Sequence, residues 1–374
     1  MKVVVALAQP PLPEGGAPAR CAIALLRGLR AHGVDIVAVA ARQQFALPGE
    51  PPGDLPVEVV PVAPDPPWQA RVRRFRRPRG ELGHGEFAAR VRETADGADV
   101  LHLEETDTAW CDEGVRTPSL VHVHYLVRRD RPLGPPWRKQ FRNVAEFALA
   151  ERAAIRRHRY LVASSPLVAE ALRAAAPNAE VVTAPLALDP SYYPPAPLDG
   201  PPVAGLIGTA AWDPTAGAMR RLLGSVWPLV LRRVPNARLV VAGRGLSGLR
   251  ELPHPPGLEL LGEVASASAF LHGLALLLFP LERGSGMKVK VLEAMASGVP
   301  VVTTAPGAEG IEAGDGVVVA HSDEQLAAAA ASLLADPGER KERGAAARAT
   351  FERSYTPGPA TTPLVELYRR MAGA

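Results

Sequence analysis

The sequence of 374 residues holds only two cysteines, Cys21 and Cys111. They lack metal-ligand spacing and cannot build a disulfide framework, so a reducing compartment is expected. Lysine is nearly as scarce, five against 37 arginines. That bias makes an arginine run less telling and a lysine pair more so. Long apolar runs are missing too. The most lipid-like stretch, Leu271–Pro280, is about half of what a spanning helix needs, so no transmembrane helix is expected. A net charge of +3 is too small for a dedicated nucleic-acid binder. No G-x-G-x-x-G joins the first strand to its helix, which disfavours a nicotinamide-dinucleotide dehydrogenase. No Asp-x-Asp stands at a strand end to hold a divalent ion, so no metal is expected; separately, no cofactor is expected. Met1-Lys2 leads into the short run Val3–Leu7, broken by Pro10-Pro11, which reads as a first strand rather than a signal peptide.

What is present is an alternation of strands and helices. Lys2–Leu7 is an apolar strand, Pro10–Pro18 a Gly/Pro loop and Arg20–His32 an amphipathic helix stopped by Gly33. Strands follow at Asp35–Ala40, Val57–Val62, Asp99–Leu103, Ser119–His124, Tyr160–Ser164 and Glu180–Ala184. Pro185–Pro202, with seven prolines, reads as a linker. The grammar then restarts with strand Val203–Gly208, helix Gly217–Val234, and strands Arg238–Ala242, Leu258–Leu261 and Ala275–Phe279. Helix Met287–Ser297, strand Pro300–Thr304, strand Gly316–Ala320, helix Asp323–Ala335 and an amphipathic helix at Thr362–Met371 complete the chain. The length itself favours two domains over one. The pattern predicts an α/β fold of two doubly wound parallel-sheet domains. Ligands in such sheets sit beyond the carboxyl ends of the strands, so two sheets facing a central cleft would place a site there.

The most informative segment is Pro280–Val302. An apolar strand runs into Gly284-Ser285-Gly286 and from there directly into a helix, an arrangement that offers backbone N–H groups and a helix N-terminus to a phosphate. Lys288 and Lys290 stand at the start of that helix, where two cations are unfavourable unless an anion binds or solvent screens them. Glu293, one turn on, is placed to accept hydrogen bonds from ribose hydroxyls. The plainer reading of these residues is a tight turn followed by a solvated lysine face.

The run Gly284–Thr304, with Gly307-Ala308-Glu309-Gly310 after it, resembles the donor-binding segment of family 4 retaining glycosyltransferases. It is most similar to the subgroup whose motif reads Gly-Gly/Ser-Gly, basic residue, Lys, Leu-Glu-Ala-Met-Ala. Gly208–Pro214 resembles the Gly-x-x-x-Trp-x-Pro turn of that subgroup, and Leu239–Arg244 its next strand and glycine. The resemblance implies a GT-B fold, with two Rossmann-like domains. Residues 1–190 would bind acceptor, with the helix 362–374 packing back on them; 191–202 would be the linker and 203–361 the donor domain. It implies transfer of a sugar from a nucleotide-diphosphate sugar (UDP-, GDP- or dTDP-linked) to a hydroxyl or amine, with retention and without metal. A GT-B epimerase or phosphorylase, or a catalytically silent partner subunit, are the alternatives.

Residue by residue, Glu293 matches the second carboxylate of the family's Glu-x7-Glu signature, expected on the ribose. The first falls at Ser285 and is missing, and Glu282 is three places too early to be assumed a replacement. The backbone of Ser285, Gly286 and Met287 would then hold sugar hydroxyls or phosphate. The Arg and Lys that many members place after the first strand of the second domain are absent from Gly208–Gly217, leaving Lys288, with Lys290 second, to neutralise the diphosphate. Gly15-Gly16 corresponds to the loop that approaches the donor phosphates, and Val264 to the place where the nucleobase packs. Glu309 could reach donor hydroxyls or merely cap a helix. His124, at the end of its strand, matches the histidine near the transferred sugar, whereas His122 and His102 keep a structural reading. Arg128 and Asp130 could line the acceptor side. The run Arg71–Arg79 is either a peripheral contact with anionic lipid or acceptor, or a solvated loop. A cytoplasmic location follows as an expectation.

Overall fold

The computed structural model describes residues 1–44, 47–63, 82–249 and 254–373. Two compact units emerge: Met1–Asp189 with Pro357–Ala374, and Pro190–Thr356. In the first, seven parallel strands lie in the order β3-β2-β1-β4-β5-β6-β7. They are β1 (Lys2–Leu7), β2 (Asp35–Gln43), β3 (Val57–Val62), β4 (Val100–Glu104), β5 (Ser119–Val123), β6 (Tyr160–Ala163) and β7 (Glu180–Thr183). The central strands are mostly apolar and buried from their second residue on, as parallel strands covered on both faces must be, with polar side chains confined to half-buried starts (Lys2, Ser119) and to His102, Glu104 and His122. Covering them are α1 (Ala17–Ala31), α2 (Gly85–Ala95), α3 (Lys139–Arg157) and α4 (Pro166–Ala175). Pro18 in the first turn starts α1 three residues earlier than its amphipathic pattern predicts, because a proline there forfeits no helical hydrogen bond.

The second unit has six parallel strands in the order β10-β9-β8-β11-β12-β13. These are β8 (Val203–Ile207), β9 (Arg238–Ala242), β10 (Leu258–Gly262), β11 (Leu276–Phe279), β12 (Val301–Thr303) and β13 (Val317–Val319). Its helices include α5 (Asp213–Arg221), α6 (Val289–Ala296), α7 (Asp323–Ala335) and α8 (Pro337–Ser354). In both sheets the strand order reverses once, between β1 and β4 and between β8 and β11. Those are the topological switch points, where a crevice opens at the carboxyl ends.

Several expectations shift. The boundary between the two units falls within Pro185–Pro202, and that stretch is itself held in place: Pro190–Tyr192 forms a 3-10 turn, Tyr193 and Leu198 are buried, and the Ala196 N–H donates to the Ser297 carbonyl at 2.8 Å. The last helix, α9 (Pro357–Ala372), starts at Pro357 rather than Thr362 and carries Pro363 inside it. It belongs to the first unit, packed on α1 where Gly28 has no side chain; a Cβ there would run into the Pro357 carbonyl. Both cysteines are buried and unbridged. Among the described residues, no helix is long and apolar enough to cross a membrane.

Candidate active site

In the second unit the switch-point crevice is built from glycines and two lysines. The Gly208 N–H donates to the Ala242 carbonyl at 2.9 Å, tying the exit of β8 to that of β9. Gly243, at φ +136°, comes so close that any Cβ would collide with the Gly208 carbonyl. Lys290 reaches this turn from α6. Its ammonium donates to Thr215 Oγ1 at 3.0 Å and lies 4.5 Å from the Phe279 ring centroid. A Cβ on Gly208 would stand 2.7 Å from Nζ. Burial lowers the ammonium's pKa to about 8, and nearby Lys288 adds to that, while Glu293 opposes it. No carboxylate among the described residues closes an ion pair with Lys290, so an arriving anion would relieve the cost of the buried charge.

Across the same crevice, the segment after β11 differs from its expected form. The helix starts at Val289, and Lys288 is its N-cap residue with extended backbone, so only Lys290 lies in the first turn. The cause is local. Gly286 adopts φ +70°, and the Lys288 ammonium folds back to donate to the carbonyls of Ser285 (3.1 Å) and Gly286. Ser285 and Met287 are buried, while Glu282 is exposed. Lys288 Nζ also stands 4.0 Å from Glu309 Oε2. Both carboxylate oxygens of Glu309 are buried without a hydrogen-bond partner. Glu293 is buried on α6, and its Oε1 accepts the Tyr193 hydroxyl at 3.0 Å. Val264 is half-buried in the turn after β10.

In the first unit, Gly15 and Gly16 follow β1 on one side of the switch point. A Cβ on Gly15 would press on Ala19, whereas Gly16, the N-cap of α1, has room around it. On the other side β4 ends in Glu104. Register pairs Glu104 with His122, and alternation puts His102 and Glu104 of β4 on the same face as His122 and His124. His102 Nε2 and His122 Nδ1 donate to Glu104 Oε2 at 2.6 and 3.1 Å. His124 Nε2 lies 2.8 Å from Oε1, and its Nδ1 lies 3.4 Å from Glu105 Oε1. The other nitrogen of His102 meets the hydroxyl of Tyr368 on α9. All four side chains of the array are buried.

Burial opposes charge on both key groups. It is outweighed at Glu104, whose carboxyl is held well below the usual range by His122 and His124. At His124 the adjacent Glu104 and Glu105 outweigh burial and raise the imidazole to about 10. His122 goes the other way, lowered by its burial. His102, Glu104 and His122 offer ligand atoms within 4.8 Å of one another, a spacing open to a metal ion. Yet the carboxylate itself fills the middle of the cluster at hydrogen-bond distances. Zinc needs its ligands about 2.0–2.2 Å away around a shared centre. The fit is to protons.

Comparison with known proteins decides the class. Residues 16–187 match the glycosyl transferase 4-like domain, and residues 201–336 match the glycosyl transferases group 1 domain. The two halves are glycosyltransferase domains. Among curated protein sequences none matches this glycosyltransferase. Solved structures do. Sucrose-phosphate synthase (tll1590) of Thermosynechococcus elongatus is similar over 100% of both chains, with 15% identity and a TM-score of 0.72. HepE (Alr3699) of Anabaena, solved with UDP and glucose, is similar over 98% of this chain and 99% of its own, at 17% identity and 0.66. TarM of S. aureus, solved with fondaparinux, alpha-GlcNAc-glycerol and UDP, covers the same shares at 9% identity and 0.68. At these identities the likeness shows the GT-B fold of the glycosyltransferase and no more.

The fold thus brings Gly208, Lys290 and Thr215 together, and separately Ser285, Gly286, Lys288 and Glu309. Three residues of the glycosyltransferase that sequence reading did not single out are Tyr193, Glu104 and Tyr368. A signal existed for Glu104: His-x-Glu ends one strand and His-x-His the next. Arg128 is exposed and Asp130 is buried. The run Arg71–Arg79 lies outside the described residues.

Proposed function

We propose that this glycosyltransferase takes a sugar from a nucleotide-diphosphate sugar and passes it to a hydroxyl or amine, with retained configuration and no metal or cofactor. The observation that carries the reading is Lys290, a half-buried lysine at the switch point of the second unit, its ammonium seated against the side-chain-free turn at Gly208 and without a carboxylate ion pair among the described residues. A diphosphate is the anion such a crevice suits. The work of charge neutralisation goes to Lys290 ahead of Lys288, whose ammonium is engaged in holding the Ser285–Gly286 turn in shape.

In the step itself the bond from the anomeric carbon to the diphosphate oxygen breaks, and its electron pair leaves with the diphosphate. The acceptor oxygen or nitrogen forms the new bond on the same face, and its proton goes to the departing phosphate. Lys290, Lys288 and the backbone at Ser285–Met287 stabilise the charge developing on that leaving group. Glu293, oriented by the Tyr193 hydroxyl, serves the ribose. Glu309 stands in for the missing first carboxylate as an acceptor for sugar hydroxyls, with Val264 beside the base and Gly15-Gly16 near the phosphates. His124 orients the transferred sugar or acceptor. The absence of an Asp-x-Asp pattern supports metal independence.

The test is transfer or donor hydrolysis by wild type and Lys290→Met, each with and without a chelator. Loss of donor binding and turnover in the variant, with the wild type indifferent to chelator, is expected. Undiminished transfer by the variant would overturn the assignment of Lys290, and chelator-sensitive activity would overturn metal independence. Donor converted without acceptor to an isomer would point instead to an epimerase.

A further inference from the structure

The array of three imidazoles around Glu104 is more than one reacting histidine requires, and its proton balance singles out one ring. With three neutral imidazoles the cluster would bury a bare negative charge, which is costly in a dry interior. One extra proton neutralises it, and only one ring can take that proton. His102 accepts the Tyr368 hydroxyl on Nδ1, and burial with the negative Glu104 nearby keeps that phenol protonated. His122 has no acceptor for Nε2, so a second proton there would be stranded. Among the described residues, His124 is the ring that lies against two carboxylates: Nε2 is 2.8 Å from Glu104 Oε1, an ion-pair contact outside hydrogen-bond alignment, and Nδ1 is 3.4 Å from Glu105 Oε1.

We propose that Glu104 is a positioning residue: from the end of β4 it fixes the ring of His124 and keeps that ring cationic, and it is itself anchored through His102 to Tyr368 of the last helix. The inference rests on the reading of this unit as the acceptor side of a sugar transferase. Glu105, whose φ of +67° turns the chain out of β4, faces the same ring. Asp107 and Asp130 act on the neighbouring Tyr125 and add negative potential, whereas burial raises Glu151 to about 7, so that it adds its charge only as pH climbs through that value. A cationic His124 cannot take the acceptor's proton. It can donate through Nδ1, whose 3.4 Å contact to Glu105 is long enough to be exchanged for a substrate oxygen. Glu104 thereby chooses an orienting imidazolium over a general base.

The test is a ring-nitrogen NMR titration of the full-length protein, in wild type, Glu104→Gln and Glu104→Asp, with His124→Gln to assign the signal. In wild type the His124 ring should stay doubly protonated from about pH 6 to about pH 9. In Glu104→Gln it should titrate much closer to the ordinary 6.5, and Glu104→Asp should restore the cation. With the donor site saturated, so that the bound diphosphate holds Lys290 as ammonium, the pH profile of kcat/KM for the acceptor should be flat over that range in wild type and gain an alkaline decline in Glu104→Gln. A His124 that titrates near 6.5 in wild type would overturn the proposal. So would an unchanged titration in Glu104→Gln, or stoichiometric zinc in the purified protein. The wild-type spectrum decides even if the glutamine variant does not fold. Because the titration needs no sugar donor, a cationic His124 without any transfer would fault the functional reading and leave this one standing.

Discussion

Lys290 and Lys288 look interchangeable in the sequence, two residues apart at the head of one helix, and the structure gives them different work. Lys290 Nζ is spent on a neutral hydroxyl and an aromatic face, whereas Lys288 Nζ is spent on two carbonyls of its own turn. Removing a charge-assisted contact to a buried anion costs about 1.5–3 kcal/mol, so Lys290→Met should weaken nucleoside-diphosphate binding by about tenfold to about a hundredfold in calorimetry. Lys288→Ala should weaken it by less, through a loosened turn. Since Lys290 titrates at about 8 and binds the anion only as ammonium, wild-type affinity should decline as pH rises through that value. The decline should vanish in Lys290→Met. None of this difference was legible in the sequence. The spacing marked both lysines, but which carbonyls an ammonium reaches depends on Gly286 adopting a left-handed backbone that spacing does not encode.

At the scale of the element, strand positions read well because apolar parallel strands announce themselves; Arg238–Ala242 falls where its pattern places it. Helix boundaries read less well wherever proline stands. Prolines looked like breaks before Thr362, yet α9 absorbs them, since its first-turn prolines forfeit no hydrogen bond and α1 opens at Gly28 to receive it. Gly28→Ala would drive a methyl into the Pro357 carbonyl and should destabilise the first unit by about 2 kcal/mol or more, seen as a lower melting transition in calorimetry. Gly243→Ala should do the same to the second unit, with a further penalty for its positive φ. The histidine array makes a pH-dependent contribution whose sign follows from each shift. His124, raised to about 10, stabilises fully below 6.5 and loses its contribution as pH climbs through 10. Glu104, depressed, stabilises above 4.5 and loses its contribution as pH falls toward its lowered folded value. His122, also lowered, has its contribution above 6.5 and loses it below. Because His122 is lowered by its burial and not by Glu104, the stability difference between wild type and Glu104→Gln should be largest between about pH 4.5 and about pH 6.5 and narrow on either side in melting curves.

On the scale of the whole molecule, one architecture is used twice, and each unit keeps its chemistry at the strand ends flanking the place where strand order reverses. Glycine and the two lysines crowd that place in the second unit; carboxylates and imidazoles crowd it in the first. That division was readable in outline from the sequence, because the small-residue turns follow β8 and β11 and the histidines end β5. What was not readable is the membership of Glu104 and Tyr368 in one cluster, since they are brought together by a helix 264 positions away in the chain. A diphosphate held by the second unit should raise its melting temperature in proportion to the logarithm of ligand concentration, with no need for divalent ions. The central claim is best tested by a crystal structure with the nucleoside diphosphate that stabilises the protein most. The β-phosphate should lie within hydrogen-bond reach of Lys290 Nζ and the backbone of Ser285–Met287, with the ribose on Glu293. A saturated complex whose phosphates lie away from the Gly208 turn, or leave Lys290 untouched, would contradict it.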